Sequence, residues 1–508
     1  MNAISRAITD SDKVAFHLIG GDALSYRALE DLSCRTGHAF HALGLRHGDH
    51  VAMMIENRAA LIALVWAAQR SGLYYTLIPT HLMPDEAAYM ASDSSAQLIA
   101  TSDRFIDLWR SVRAGLGTVR HWLTVDAPQD GFAAWRDVIA DYPATPAPDA
   151  LEGSAMLYSS GTTGRPKGIK KAIGTVRFGE EPLAAIYRER HVMDEHTVYL
   201  SPAPLYHAAP LRAVLAVNRL GGSVIALAKF EAEPLLAAID RYRVTHVQLV
   251  PTMLRRLLDL PDAVRAQYNV SSLRRVIHAA APCPIDLKQA AIDWFGPIVT
   301  EYYGGTEGIG ATYIDSEEWL THPGSVGRAI MGELHIVGED GAELPVGAVG
   351  DVYFGNGPRF AYHNAPEKLE AATHPEGWVT LGDIGRVDEE GYLYLVDRKS
   401  FVINSGGVNI YPAEAEEALR SHPAVADVAV IGVPNRDFGE EVKAVIELRA
   451  GVLASEALRD DLIAHCRARI SAVKCPRSVD FIDIMPRSDA GKLLKGVLRQ
   501  DYWGRDTA

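Results

Sequence analysis

Short apolar runs followed by amphipathic stretches recur along the first three hundred residues. The run His50–Ile55 (HVAMMI) has the texture of a strand, and Leu61, Leu64, Val65 and Ala68 then return at helical spacing. The pairing repeats at Val247–Val250 before TMLRRLLDL, and again at Arg275–Ala279 before Ile285–Phe295. Strand–helix alternation of this kind predicts an α/β fold, with mostly parallel sheets covered by helices, as far as about residue 310. The segment DYPATPAPDALEGS at 141–154, rich in Pro, Ala and Asp, predicts a surface connection between subdomains.

The texture changes after residue 325. GELHIVGEDGAELPVG and GRVDEEGYLYLVDR pair short β-runs with Glu-Asp-Gly and Glu-Glu-Gly turns, which predicts antiparallel hairpins and a small barrel-like subdomain. Asp388 reads as a hairpin residue. Beyond Arg398 a new unit is expected. Pro412 opens a helix, VADVAVIGV and VKAVIEL alternate as strands, and Leu458, Leu462, Cys466 and Ile470 mark an amphipathic helix. The expected organisation is a large unit at 1–398 and a small α+β unit at 399–508 that can move as a body. No internal repeat or low-complexity segment interrupts it.

Composition narrows the functional classes. A chain of 508 residues, 48% hydrophobic and 22% charged, is long enough for more than one core and is not of disordered type. A net charge of −14 argues against a nucleic-acid partner but leaves room for local cationic pockets. Cys34, Cys283, Cys466 and Cys475 are scattered and predict neither a disulfide framework nor a zinc site. MNAISRAITDSDK has no apolar core of a signal peptide, and Gln69 and Arg70 break the most apolar early stretch. A cytoplasmic protein without a transmembrane segment is expected.

The chemistry starts at YSSGTTGRPKG, residues 158–168. Ser159, Ser160, Gly161, Thr162, Thr163 and Gly164 combine hydroxyl donors with backbone that can turn its N–H groups inward, and Lys167 adds charge. The spacing does not fit the Walker A pattern. Composition alone equally allows an ordinary polar turn. The run of eleven residues, however, resembles the phosphate loop of the adenylate-forming superfamily, which includes acyl-CoA synthetases, peptide-synthetase adenylation domains and luciferases. Further motifs of that superfamily follow in order across nearly the whole chain.

The resemblance implies roles for each. In PLYHAAP, His207 borders the acyl pocket and its movement opens the path of a thiol. In HAAAPCP, Ala280, Ala281 and Pro282 lie against adenine. In EYYGGTEG, Tyr303 stacks on adenine, Thr306 meets phosphate, and Glu307, with Thr162, holds magnesium. Asp383 and Arg398 are implied to hold the ribose hydroxyls. Gly406 and Gly407 line a pantetheine tunnel, and Lys492 in PRSDAGKLLK is the catalytic lysine, with Lys495 read as a surface residue. Ser400 and Phe401 stand at the implied hinge, where relatives usually carry charge. Gly304 and Gly305 leave space at the end of the acyl pocket, and Arg212 is read first as a loop–sheet tie.

The implied activity is an acyl-CoA synthetase that uses ATP, Mg2+ and coenzyme A on a hydrophobic carboxylic acid, of fatty, steroid side-chain or aromatic type. Two alternatives stand beside it: loading of a separate carrier protein, and a nucleotide-binding regulator without turnover. A homodimer is compatible with all three.

Overall fold

The computed structural model describes residues 12–159, 166–180, 183–405, 408–436, 438–488 and 493–503. Among these residues five sheets form, two of them large. The six-stranded sheet is parallel throughout and centres on His50–Met54, flanked by Tyr74–Leu77 and Leu98–Thr101. The nine-stranded sheet has a parallel middle that includes Val198–Ser201, His246–Leu249, Arg275–His278 and Val299–Gly304. Antiparallel strands close both its edges.

Alternation along each strand assigns its two faces to different cores. Val51 and Met53 join the cluster between the two large sheets, whereas Ala52 and Met54 join the outer cluster under helices Pro84–Asp93 and Ile106–Val112. On the other sheet Tyr199 faces the shared interior. Leu200 faces an outer layer built by helices Ala232–Tyr242, Pro251–Leu258 and Ile285–Phe295. Helix Ala59–Arg70 lies between the sheets, and every residue in it except Ala60 is buried. A helix apolar all round requires such cover on every side. The result is a layered α/β architecture, as the alternation predicts; the second expected strand begins one residue earlier, at His246.

The 325–397 region supplies a four-stranded antiparallel sheet, Glu333–Val337, Gly350–Gly355, Val379–Val387 and Leu393–Arg398. Asp388 turns the last hairpin: its Oδ1 accepts from the N–H groups of Glu390 and Tyr392.

In the small C-terminal domain, Val425–Asn435 pairs with Gly439–Leu448 and helix Pro412–Arg420 begins on its proline. One expectation fails here. Lys495, read as a surface lysine, is 8% exposed, and its ammonium meets Glu416 Oε1 at 2.7 Å. The helix Lys495–Trp503 docks on the Val425–Asn435 strand and carries the lysine inward with it. All four cysteines are free. No helix among the described residues is long and apolar enough to cross a membrane.

Candidate active site

The parallel strands of the nine-stranded sheet end at a cleft of about 2790 Å³. Openings at carboxyl ends of strands are where α/β sheets place ligands, because loops rather than ladder hydrogen bonds surround them. Val198–Ser201 leads to His207, Arg275–His278 to the 279–284 loop, and Val299–Gly304 to Thr306 and Glu307. The antiparallel sheet closes the opposite wall with Asp383 and Arg398.

Strand register brings the latter two together: Asp383 is the partner of Arg398 across the hairpin. Arg398 Nε donates to Asp383 Oδ1 at 2.9 Å, and the Tyr303 hydroxyl donates to Oδ2 at 2.6 Å. Burial, reinforced by the Asp383 charge, pushes the Tyr303 phenol well above its ordinary pKa, so it stays a donor. A carboxylate offers about four acceptor positions, so two of them remain for a vicinal diol.

A second constellation lies at the turn after Tyr303. Tyr362 donates to Glu307 Oε1 at 3.0 Å, and Lys167 Nζ stands 5.3 Å from the Tyr362 ring centroid. The small sheet Ala361–Tyr362, Lys167–Lys170 and Leu157–Ser159 makes this possible, because it seats the lysine strand beside Tyr362. Burial first, then the charge of Lys368, lowers the Lys167 pKa.

Thr306 is held from behind, its carbonyl accepting from Arg212 Nη2 at 2.8 Å, which is the loop–sheet tie expected of Arg212. His207 caps the N-terminus of helix Ala208–Leu220, with its ring 4.6 Å from that of Tyr206. Ala280 has φ of +74°, a left-handed conformation uncommon for any residue with a Cβ; it bends the loop of Ala280, Ala281 and Pro282 over the cleft.

The structure adds two close neighbours to the reading of Gly305. A Cβ there would stand 2.6 Å from both Glu307 Oε2 and a Leu381 methyl. A side chain there would push on the Glu307 carboxylate and Leu381 before it filled the cleft that Gly305 lines. Gly304 faces the Gly310 carbonyl, with 3.0 Å left to a Cβ.

Ser160, Gly161, Thr162, Thr163, Gly164, Gly406, Gly407 and Lys492 lie outside the described residues, and only the backbone of Ser159 is described. At the implied hinge, Lys399–Phe401 forms one short 3-10 turn, and Lys399 Nζ meets Asp351 Oδ2 at 2.5 Å. A charge anchor therefore sits one residue before Ser400. Phe401 lies under the Lys495 ammonium, 5.4 Å from ring centroid to Nζ.

Some features carry no local signal in the sequence. Tyr362 is one. Another is the trio behind the 279–284 loop, where fully buried Lys288 meets Glu301 at 2.7 Å and His278 approaches the same oxygen at 3.5 Å. The Lys288–Glu301 pair, with the His278 ring beside it, ties helix Ile285–Phe295 to the two strands that deliver Ala279 and Tyr303. A buried pair of this kind is worth more as a positioning device than as net stability.

Residues 5–360 match the AMP-binding enzyme family, and residues 414–492 match the AMP-binding enzyme C-terminal domain. The chain belongs to the AMP-binding enzyme family. It is 31% identical over 491 residues to long-chain-fatty-acid–CoA ligase FadD13 of Mycobacterium tuberculosis, an alignment covering 94% of this chain and 93% of the relative. It is 32% identical over 489 residues to feruloyl-CoA synthase of Amycolatopsis sp, covering 95% of both chains. Its fold matches ATP-bound MatB from Rhodopseudomonas palustris with a TM-score of 0.85 and 29% identity, over 99% of each chain. An AMP-binding enzyme of net charge −14 has to draw a polyanion into its cleft, and Lys167, Arg212 and Arg398 all stand on the wall of this one.

Proposed function

We propose that this AMP-binding enzyme is an acid–CoA ligase that converts a bulky hydrophobic carboxylic acid, ATP and CoA into acyl-CoA, AMP and diphosphate. The observation that carries the reading is the pair of constellations in one cleft. Tyr303, Asp383 and Arg398 suit a nucleoside, and Glu307, Tyr362 and Lys167 suit its phosphates. Fatty and aromatic acids both occur in the names of the relatives, which supports a hydrophobic acid without choosing its shape.

A carboxylate is a poor acyl donor until its oxygen becomes part of a leaving group. Attack of one carboxylate oxygen on the α-phosphorus forms a new P–O bond, breaks the bond to the bridging oxygen, and releases diphosphate. The thiolate of CoA then adds to the acyl carbon, and AMP leaves with the oxygen it acquired. Two anions meet in the first step, so the chain has to supply charge and alignment. Lys492 is assigned to bridge the carboxylate and α-phosphate. Asp383 and Arg398 hold the ribose, and Tyr303 with the Ala280–Pro282 loop takes the adenine. Thr306 and the 159–164 loop face the phosphates, His207 gates the thiol path, and Gly406 and Gly407 let the pantetheine chain pass.

Among the described residues no cluster of three or more His, Cys, Asp or Glu side chains could hold a metal by itself. One oriented carboxylate nonetheless fits magnesium that arrives on a nucleotide, since that ion keeps waters and phosphate oxygens as most of its ligands. Glu307, with Thr162, would hold it, and when bound it neutralises charge on the phosphates.

The small domain, 399–508, begins between the two matched spans. Its rotation about Ser400 would exchange Lys492 for Gly406 and Gly407 at the cleft. The test is incubation with ATP, CoA and acids of graded size, following AMP and thioester together. Thioester formed in step with AMP is expected. AMP without thioester would overturn the CoA assignment and point to a separate carrier protein, and no AMP with any acid would point to a regulator.

A further inference from the structure

One arm of the cleft runs along helix Leu183–Arg190 and the nine-stranded sheet. Its wall there is not the run of methyl groups that best fits a saturated chain. Tyr187, His191, Tyr199, Gln248 and Tyr302 all line it. The His191 ring stands 5.6 Å from that of Tyr187 and 6.2 Å from that of Tyr302, making a stiff aromatic box. Tyr199, Gln248 and Tyr302 come from three strands of one sheet, at positions whose side chains share a face.

Several polar atoms in this box are left over. Gln248 Nε2 donates to the Tyr302 hydroxyl at 2.8 Å, so Tyr302 acts there as acceptor and its own proton remains. Among the described residues buried Gln248 Oε1 has no partner, and the half-buried Tyr187 and Tyr302, which line the cleft, donate to no protein acceptor. Burial raises the pKa of both phenols, which keeps them as neutral donors. Buried polar groups are normally satisfied, and a site whose own polar atoms stay unpaired penalises any ligand that cannot meet them.

We infer that this pocket reads oxygen: its acid carries a ring with a carbonyl or hydroxyl remote from the carboxylate, held by Tyr187, Gln248 and Tyr302. The inference rests on the acid-ligase reading above and narrows its substrate class. A fatty chain of equal volume would leave the Tyr187 and Tyr302 protons without an acceptor.

The experiment compares kcat/KM for matched acids: para-coumarate against cinnamate, and a keto-cyclohexylpropanoate against cyclohexylpropanoate, with decanoate as the chain acid. The wild-type enzyme should prefer the oxygenated member of at least one pair by roughly tenfold to a hundredfold, the cost of leaving buried polar groups unmatched. In Tyr187→Phe and Gln248→Leu that ratio should collapse toward one, through loss on the oxygenated acid. A ratio measured on one preparation does not depend on the active fraction, so partial misfolding cannot imitate the result. Equal rates on both members, or a preference for decanoate, would overturn the inference while leaving the ligase intact. AMP formed selectively from oxygenated acids without thioester would do the reverse.

Discussion

Tyr362 donates a hydrogen bond of 3.0 Å to Glu307, tying a two-residue strand to a carboxylate 55 positions earlier in the chain. If that carboxylate orients magnesium, Tyr362→Phe leaves its charge in place but loosens its aim. A net hydrogen bond is worth about 1 kcal/mol, so the magnesium needed for half-maximal adenylation should rise roughly fivefold. Glu307→Gln, which removes the charge itself, should shift it further. A magnesium titration of diphosphate release checks both, and two unchanged curves would remove Glu307 from the phosphate end.

Gly305→Leu is expected to damage the reaction with every acid alike. The crowding falls on Glu307 Oε2 and Leu381, so the variant should need more magnesium and ATP without changing its order of preference among acids. A shift toward short acids would instead return Gly305 to the acyl pocket.

Asp383→Asn keeps the shape but removes the charge that pairs with Arg398 and accepts from Tyr303. Hydrogen bonds to charged groups contribute about 1.5–3 kcal/mol, so KM for ATP should rise roughly tenfold to a hundredfold while KM for the acid barely moves. Equal changes in both constants would argue for general unfolding of the wall.

Lys492→Ala should abolish adenylation and largely spare thioester formation from a synthetic acyl-adenylate. The lysine is assigned to the site in the first step only. Equal loss in both half-reactions would refute two domain positions.

Acid should destabilise the large domain through buried imidazoles. Burial lowers His50, His246 and His278 to about 4 and His191 to about 3, against an ordinary value of 6.5. The unfolded chain therefore binds more protons between about pH 6.5 and 4. The stability these groups contribute is full above pH 6.5 and is lost as the pH falls through that window. In urea titrations His278→Asn should flatten the slope against pH, by at most about 1.4 kcal/mol per pH unit. An unchanged slope would mean that His278 is charged in the folded state.

What the sequence made legible is what lies within single runs. Tyr303, Thr306 and Glu307 share one strand-turn, and Asp383 and Arg398 flank one hairpin whose turn Asp388 announces. Tyr362 could not be read, because its partner is reached only through the stacking of a three-stranded sheet. Lys495 misleads for a related reason. Its neighbours Leu494, Val497 and Leu498 are apolar, but a lysine is ordinarily a surface residue, and its burial depends on Glu416 on another helix. Gly305 was legible as a bare position but not as one crowded by Glu307, since a sequence shows that a side chain is absent and not what excludes it. The oxygen-reading wall of Tyr187, Gln248 and Tyr302 comes from three separate elements and leaves no motif.

Helix Ala59–Arg70 has a consequence for biosynthesis. It packs mainly against helix Tyr26–Ala42 and strands Val14–Leu18 and Tyr74–Leu77, all made early, but its core also includes Tyr199, Leu211, Val214 and Val224, which come much later. A ribosome adding 5–20 residues per second needs roughly 8–30 s to reach them. Throughout that interval AALIALVWAA is a nascent apolar rod with part of its core still missing. The protein should therefore lean on holdase chaperones while it is being made, and chains cut short between residues 100 and 200 should aggregate rather than fold.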